Sequence, residues 1–85
     1  RTGAGSTATL TCLAVGAQSY EWYEDGVKMD SETSDSLTLA WTKAEPHVRT
    51  YSVVPVYTVF NETVKGDPAT AEVEYLPTGM TIVIR

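Results

Sequence analysis

The chain has 85 residues, 42% of them hydrophobic and 20% charged, with a formal net charge of −5. That length bounds it to one domain, near the lower end of what folds without staples, and its apolar content suffices for a core. The acid excess argues against nucleic acid and against an anionic membrane surface, and suits display in a wet, crowded setting.

A single cysteine closes no internal disulfide. The chain is therefore expected to be made in a reducing compartment, which a bacterial or viral origin explains more easily than an animal ectodomain. No run is long and apolar enough to span a bilayer, and no secretory or lipidation pattern is present. Residues 1–6, Arg-Thr-Gly-Ala-Gly-Ser, read as a flexible linker from a preceding domain, and residues 7–85 as the domain itself.

Taken in order, Thr7 to Ala14 alternates, with Ala8, Leu10, Cys12 and Ala14 on one face and threonines mostly on the other. That is the pattern of a half-buried strand. Gly16-Ala17-Gln18 turns the chain into Ser19 to Glu24, where Tyr20 and Trp22 face inward and Glu21 and Tyr23 outward. Asp25-Gly26 then predicts a type I′ hairpin turn, followed by a short return strand, Val27 to Met29. Asp30 to Asp35 reads as a surface loop, and Ser36 to Trp41 as a strand that buries Leu37 and Leu39 or, with register reversed, Trp41 near the sheet end.

Thr42 to His47 is expected to cross between sheets as a polar loop. Arg49 to Phe60 is the longest β-rich run, with Tyr51, Val53 and Tyr57 on one face and Val54 and Val56 on the other. Pro55 removes one ladder donor and predicts an edge position or a bulge. Asn61 to Pro68 reads as a polar loop, Thr70 to Leu76 as a strand, and Pro77-Thr78-Gly79 as a tight turn into a last strand, Met80 to Arg85. No recognisable first strand precedes Thr7. The last strand is therefore expected to cover that edge, which requires pairing between Thr81–Ile84 and Ala71–Tyr75.

These elements predict an all-β, immunoglobulin-like antiparallel β-sandwich of about seven strands. Its signature is Cys12, Trp22, Tyr51 and Val53, with Val53 standing where a second half-cystine would be. Apolar contact between Val53 and Cys12 then replaces a crosslink typically worth about 2–4 kcal/mol. The predicted core is Leu10, Cys12, Trp22, Leu37, Leu39, Tyr51, Val53 and Val73. Tyr51 is expected in the tyrosine-corner role, its hydroxyl bonded to nearby backbone.

Tyr20-Glu21-Trp22-Tyr23-Glu24-Asp25-Gly26, with Val48 to Val56 further on, resembles the Ig-like domains on virions of tailed bacteriophages. Hoc-type outer capsid proteins carry a similar Tyr-x-Trp-Tyr-x-Asp run and likewise need no disulfide. The size and Gly-rich start are similar to the outer domain of a two-domain head decoration protein of T-five-type phages. The resemblance implies a capsid decoration protein made in the bacterial cytoplasm. A preceding domain would grip the capsid, and this one would project from the head and mediate weak adhesion to bacterial surfaces or glycans. A monomer is expected.

No constellation of residues specifies a reaction. His47 is the one histidine and reads as a solvated loop residue, Cys12 as a small core residue, and no cofactor or metal is expected. The acids from Glu21 to Asp35 lack calcium-loop spacing and read as a solvated face. Asn61-Glu62-Thr63 matches a glycosylation acceptor that would stay bare in bacteria. Candidate contacts are Val54 and Val56 on the outward face, with Tyr23 and Trp41 as aromatics suited to stacking on sugar rings. Two alternatives stay open. One is a carbohydrate- or protein-binding adhesion module of a tail fibre, bacterial adhesin or cell-surface protein, marked by exposed apolar groups on loops or on the Val54/Val56 face. The other is a structural spacer, against which Ile82 to Arg85 reads as a natural terminus.

Overall fold

The computed structural model describes residues 2–3, 7–40, 47–76 and 79–84. Its elements are all strands: β1 (Thr2–Gly3), β2 (Thr7–Thr11), β3 (Ser19–Glu24), β4 (Val27–Lys28), β5 (Ser36–Ala40), β6 (His47–Val59), β7 (Glu62–Lys65), β8 (Ala69–Leu76) and β9 (Gly79–Ile84). One sheet runs β1-β9-β8-β6-β3-β4, with β7 also on β6, and β2 and β5 form a second sheet. Every pairing is antiparallel.

The alternation in the sequence decides which faces meet. Leu10, Leu37 and Leu39 of the small sheet pack with Trp22, Tyr51, Val53, Val73, Tyr75 and Met80 of the large one in a single buried cluster. Threonines 7, 9 and 11 lie on the exposed side of β2. Trp22 fills the centre, and its indole Nε1 donates to the Ser34 carbonyl at 2.7 Å, which satisfies the one polar atom that ring brings inside. Cys12 is only partly buried at the edge of this cluster.

The largest fully buried side chains are Met80 and Val73. Met80 owes its burial to β9, which pairs with β8 from Ala71↔Ile84 to Leu76↔Gly79 and so meets the requirement set for the last strand. Covering this edge stabilises the core as well as the ladder, because Met80 and Ile82 then face the same interior as Val73.

The sequence reading needs three corrections. Asn61 to Pro68 is not all loop, because Glu62–Lys65 forms β7 and pairs with Val56–Val59. His47 is the first residue of β6, opposite Tyr75, and not part of a polar loop. Thr2 and Gly3 pair with Met80 and Gly79, which raises the strand count above the expected number. His47 and Thr2–Gly3 gain ladder partners from distant chain, whereas β7 is the return strand of a local hairpin.

Pro55 sits at a bulge. Val53 pairs with Ala69 and Val56 with Lys65, so Val54 and Pro55 face the longer stretch Gly66-Asp67-Pro68. The missing proline N–H therefore falls where the ladder is already broken. Gly66 donates its N–H to the Pro55 carbonyl at 2.8 Å. A Cβ on Gly66 would lie 2.9 Å from Pro55 Cγ and 3.2 Å from Tyr57 Cε1. Gly66→Ala should therefore destabilise the domain by about 1–2 kcal/mol through forced ring shifts. Urea denaturation checks this, and an unchanged midpoint would show that the bulge has room to spare.

Candidate functional site

The long hairpin of β6 and β7 and the loop between β2 and β3 lie at one end of the molecule. β6 has 13 residues, about 43 Å at ~3.3 Å per residue, against a long axis of 48 Å. β2 and β5 have 5 residues each. The hairpin therefore extends past the two-sheet core. The 12–18 loop is tied to its base: Gln18 N–H donates to the Val56 carbonyl at 2.8 Å, and the Thr58 hydroxyl donates to Gln18 Oε1 at 2.5 Å.

The turn at the tip is Phe60-Asn61, with φ of 51° and 64°. Two successive positive values are the requirement of a type I′ turn, normally met by Asn-Gly or Asp-Gly. Asp25-Gly26 meets it that way, with φ of 50° and 84°. Phenylalanine does not, because its Cβ crowds the backbone in this region at a cost of about 1–2 kcal/mol. Phe60 is nevertheless 96% exposed, so no burial offsets that strain.

The neighbouring loop presents Leu13 at 90% and Val15 at 99% exposure. No charged residue occurs from Cys12 to Tyr20 or from Thr50 to Asn61. Charge returns at the edges of these runs, with exposed Glu62 opposite Val59 just past the turn and Asp35 beside Leu13 and Val15. Phe60, Leu13 and Val15 are not among the contact residues expected from the sequence. The available signal was Leu13, which stands on the threonine face of its strand pattern, together with the long uncharged run into Phe60.

Val54 and Val56 are half-buried on the outward face of β6. Glu21 of β3 stands opposite Val54, and Lys65 of β7 stands opposite Val56. The Lys65 Nζ–Glu21 Oε1 contact of 3.2 Å therefore crosses β6 above the two valines. Glu21 also meets Lys28 Nζ at 3.6 Å and accepts from the Tyr23 hydroxyl at 3.1 Å. The Lys65 ammonium, followed by the Tyr23 hydroxyl and the Lys28 charge, holds the Glu21 carboxyl below its ordinary value of 4.5, against the opposing effect of burial. Tyr23 is thus half-buried and engaged with Glu21. Trp41 lies outside the described residues.

Tyr51 is buried, but its hydroxyl does not bond nearby backbone as expected of a tyrosine corner. It donates to Glu24 Oε2 at 2.7 Å and lies 3.1 Å from the Tyr75 hydroxyl. Burial, then the Tyr75 and Glu24 bonds, push its pKa far above the ordinary value of 10.0. A pKa raised in the folded state adds stability that is complete below the unfolded value near pH 10 and is lost as pH rises beyond it. Tyr51→Phe should therefore flatten the alkaline limb of a stability–pH curve above about pH 10. Denaturant midpoints from pH 8 to 11 read this directly, and parallel limbs in the two proteins would refute it.

Val53 belongs to the buried core cluster, and Cys12 packs against that cluster. Both line an apolar cavity of about 110 Å³ with Leu10, Trp22, Ala71 and Ile84. Among the described residues no three His, Cys, Asp or Glu side chains converge as a metal ligand set. Comparison of the chain with protein-family models, with curated proteins and with solved structures returns no match.

Proposed function

We propose that the chain is a non-enzymatic, Ig-like display and adhesion domain of a phage virion surface, which contacts its target through the Phe60 end. The observation that carries this reading is Phe60 itself, an aromatic 96% exposed on a strained turn, with Leu13 and Val15 exposed in the loop that Gln18 ties to the same hairpin. Strain without a folding benefit is a mark of function. An exposed aromatic at the tip suits the apolar face of a sugar or a shallow apolar surface on a protein. It gives the adhesion reading the exposed apolar loops that reading requires.

The Ig-like assignment is supported by the pairing pattern. β2–β5 faces β3–β6–β8, in the manner of the B–E and C–F–G strands of that sandwich. The virion setting rests on the likeness of Tyr20 to Gly26 and Val48 to Val56 to phage Ig-like domains. Projection from a head would leave the Phe60 end free if the neighbouring domain grips the capsid.

The test is co-sedimentation of the chain and its Phe60→Ser variant with bacterial cells and with undecorated phage heads. Pelleting with cells that Phe60→Ser removes is the expected result. Absence of pelleting with either particle would end the reading, and equal pelleting of both proteins would move the contact away from the tip.

A further inference from the structure

We propose that Asp25-Gly26, the turn between β3 and β4, is a covalent modification site that closes to a succinimide and reopens as isoaspartate, and that Arg49 and the Thr50 N–H hold it in check. The reaction is intramolecular. The Gly26 nitrogen attacks Asp25 Cγ, the amide hydrogen leaves with a carboxyl OH as water, and an imide ring closes. Water then opens the ring at either carbonyl, which returns aspartate or leaves isoaspartate. Glycine suits the attacking position because it has no Cβ to obstruct the approach. Asp-Gly occurs once in the chain.

The turn is open to water. Asp25 and Gly26 are exposed, and nothing lies within 4 Å of the place a Gly26 Cβ would take. What opposes closure is the grip on the carboxylate. Arg49 Nη1 donates to Asp25 Oδ2 at 2.8 Å, and the Thr50 N–H donates to Oδ1 at 2.9 Å. Both oxygens are thus tied to β6. Swinging Cγ onto the Gly26 nitrogen, or losing either oxygen as water, breaks one of these bonds. The charge of a paired carboxylate also repels the electron pair of an attacking nitrogen. The Asp25 N–H donates to the Thr50 carbonyl at 2.8 Å, so the backbone is fastened to the same strand. The attraction is mutual, since the hydrogen bond and charge of Asp25 push the Arg49 guanidinium above its ordinary value of 12.5.

Isoaspartate carries the main chain through Cβ and Cγ, one carbon longer than the two-residue turn accommodates. β4 would then lose its register on β3, Tyr23↔Lys28 and Glu24↔Val27. The Met29 N–H bond to the Trp22 carbonyl, 2.8 Å long, lies just beyond that register and would go with it. A half-exposed ion pair such as Arg49–Asp25 adds little to stability. Its consequence is the chemical lifetime of the turn.

The test holds the folded chain and its Arg49→Ala variant in heavy-oxygen water at neutral pH, then weighs the proteolytic peptide that contains Asp25. Each closure and reopening fixes one heavy oxygen there. Arg49→Ala should take up label about two- to fivefold faster than the parent, the factor that a half-exposed ion pair supplies. Methylation by an isoaspartate-specific methyltransferase should rise with it, and Met29 amide protection should fall in the modified fraction. Arg49→Ala combined with Gly26→Asn should return uptake to the parent's rate or below, because asparagine tolerates the positive φ while its side chain obstructs attack. Molar sodium chloride screens the pair, so it should speed uptake in the parent and leave Arg49→Ala unchanged. That salt response decides the matter where Arg49→Ala melts lower than the parent. Equal uptake by parent and variant, or a rise shared by peptides without Asp25, would overturn the proposal. The reaction needs no partner, so the outcome of cell adhesion leaves it untouched.

Discussion

Replacing Phe60 by Asn and Asn61 by Gly should make the domain more stable and, under the proposed adhesion role, abolish pelleting with cells. The turn geometry already demands two positive φ values, 51° and 64°. Asn-Gly adopts them with little strain, so the change should add about 1 kcal/mol. In a domain of this size that raises the melting temperature by roughly 4–8 °C. The exposed ring contributes no compensating core contact, because Phe60 is 96% exposed. Binding to cells should fall to background in the same protein. Thermal melts and cell co-sedimentation on one preparation separate the two effects. A variant that is stabilised and still adheres would remove Phe60 from the interface; a destabilised one would show that the tip is not strained.

Trp22→Ala carries the largest expected loss of stability. The ring is 2% exposed and packs among residues of both sheets. Its removal deletes transfer energy and leaves a cavity, together about 3–5 kcal/mol. It also strands the Ser34 carbonyl that accepts from Nε1 at 2.7 Å. A domain with roughly 5–15 kcal/mol in total has little left after that. Trp22→Phe keeps most of the volume and should cost about 1–2 kcal/mol, chiefly the lost hydrogen bond. Urea titration gives both values, and a loss below about 1 kcal/mol for the alanine variant would contradict the packing described above.

Much of this molecule was legible along the chain. Ala8 and Leu10, Leu37 and Leu39, and Val73 and Tyr75 alternate with polar neighbours, and a period of two leaves little choice about which face is buried. Asp25-Gly26 announced its turn because few residue pairs tolerate that backbone. Pro55 announced a bulge because it has no N–H to give. Each of these signals is local, set by one or two residues and their own covalent geometry.

Most of the remainder depended on partners distant in sequence. β7 is the local exception: its four residues are exposed, with Val64 the one large apolar side chain, and the Phe60-Asn61 turn folds it back onto β6. Val54 and Val56 are half-buried, and the Glu21–Lys65 pair beside them joins residues far apart in the chain. Tyr51 was readable as buried, but its partners Glu24 and Tyr75 come from other strands of the sheet. The sequence by itself determined the all-β character, the inward residues of most strands and the absence of an internal disulfide. Tertiary structure decided how the strands pair and which apolar residues, Phe60, Leu13 and Val15 among them, reach solvent. Burial is a property of what covers a residue, and that cover comes from chain segments whose approach no local pattern records.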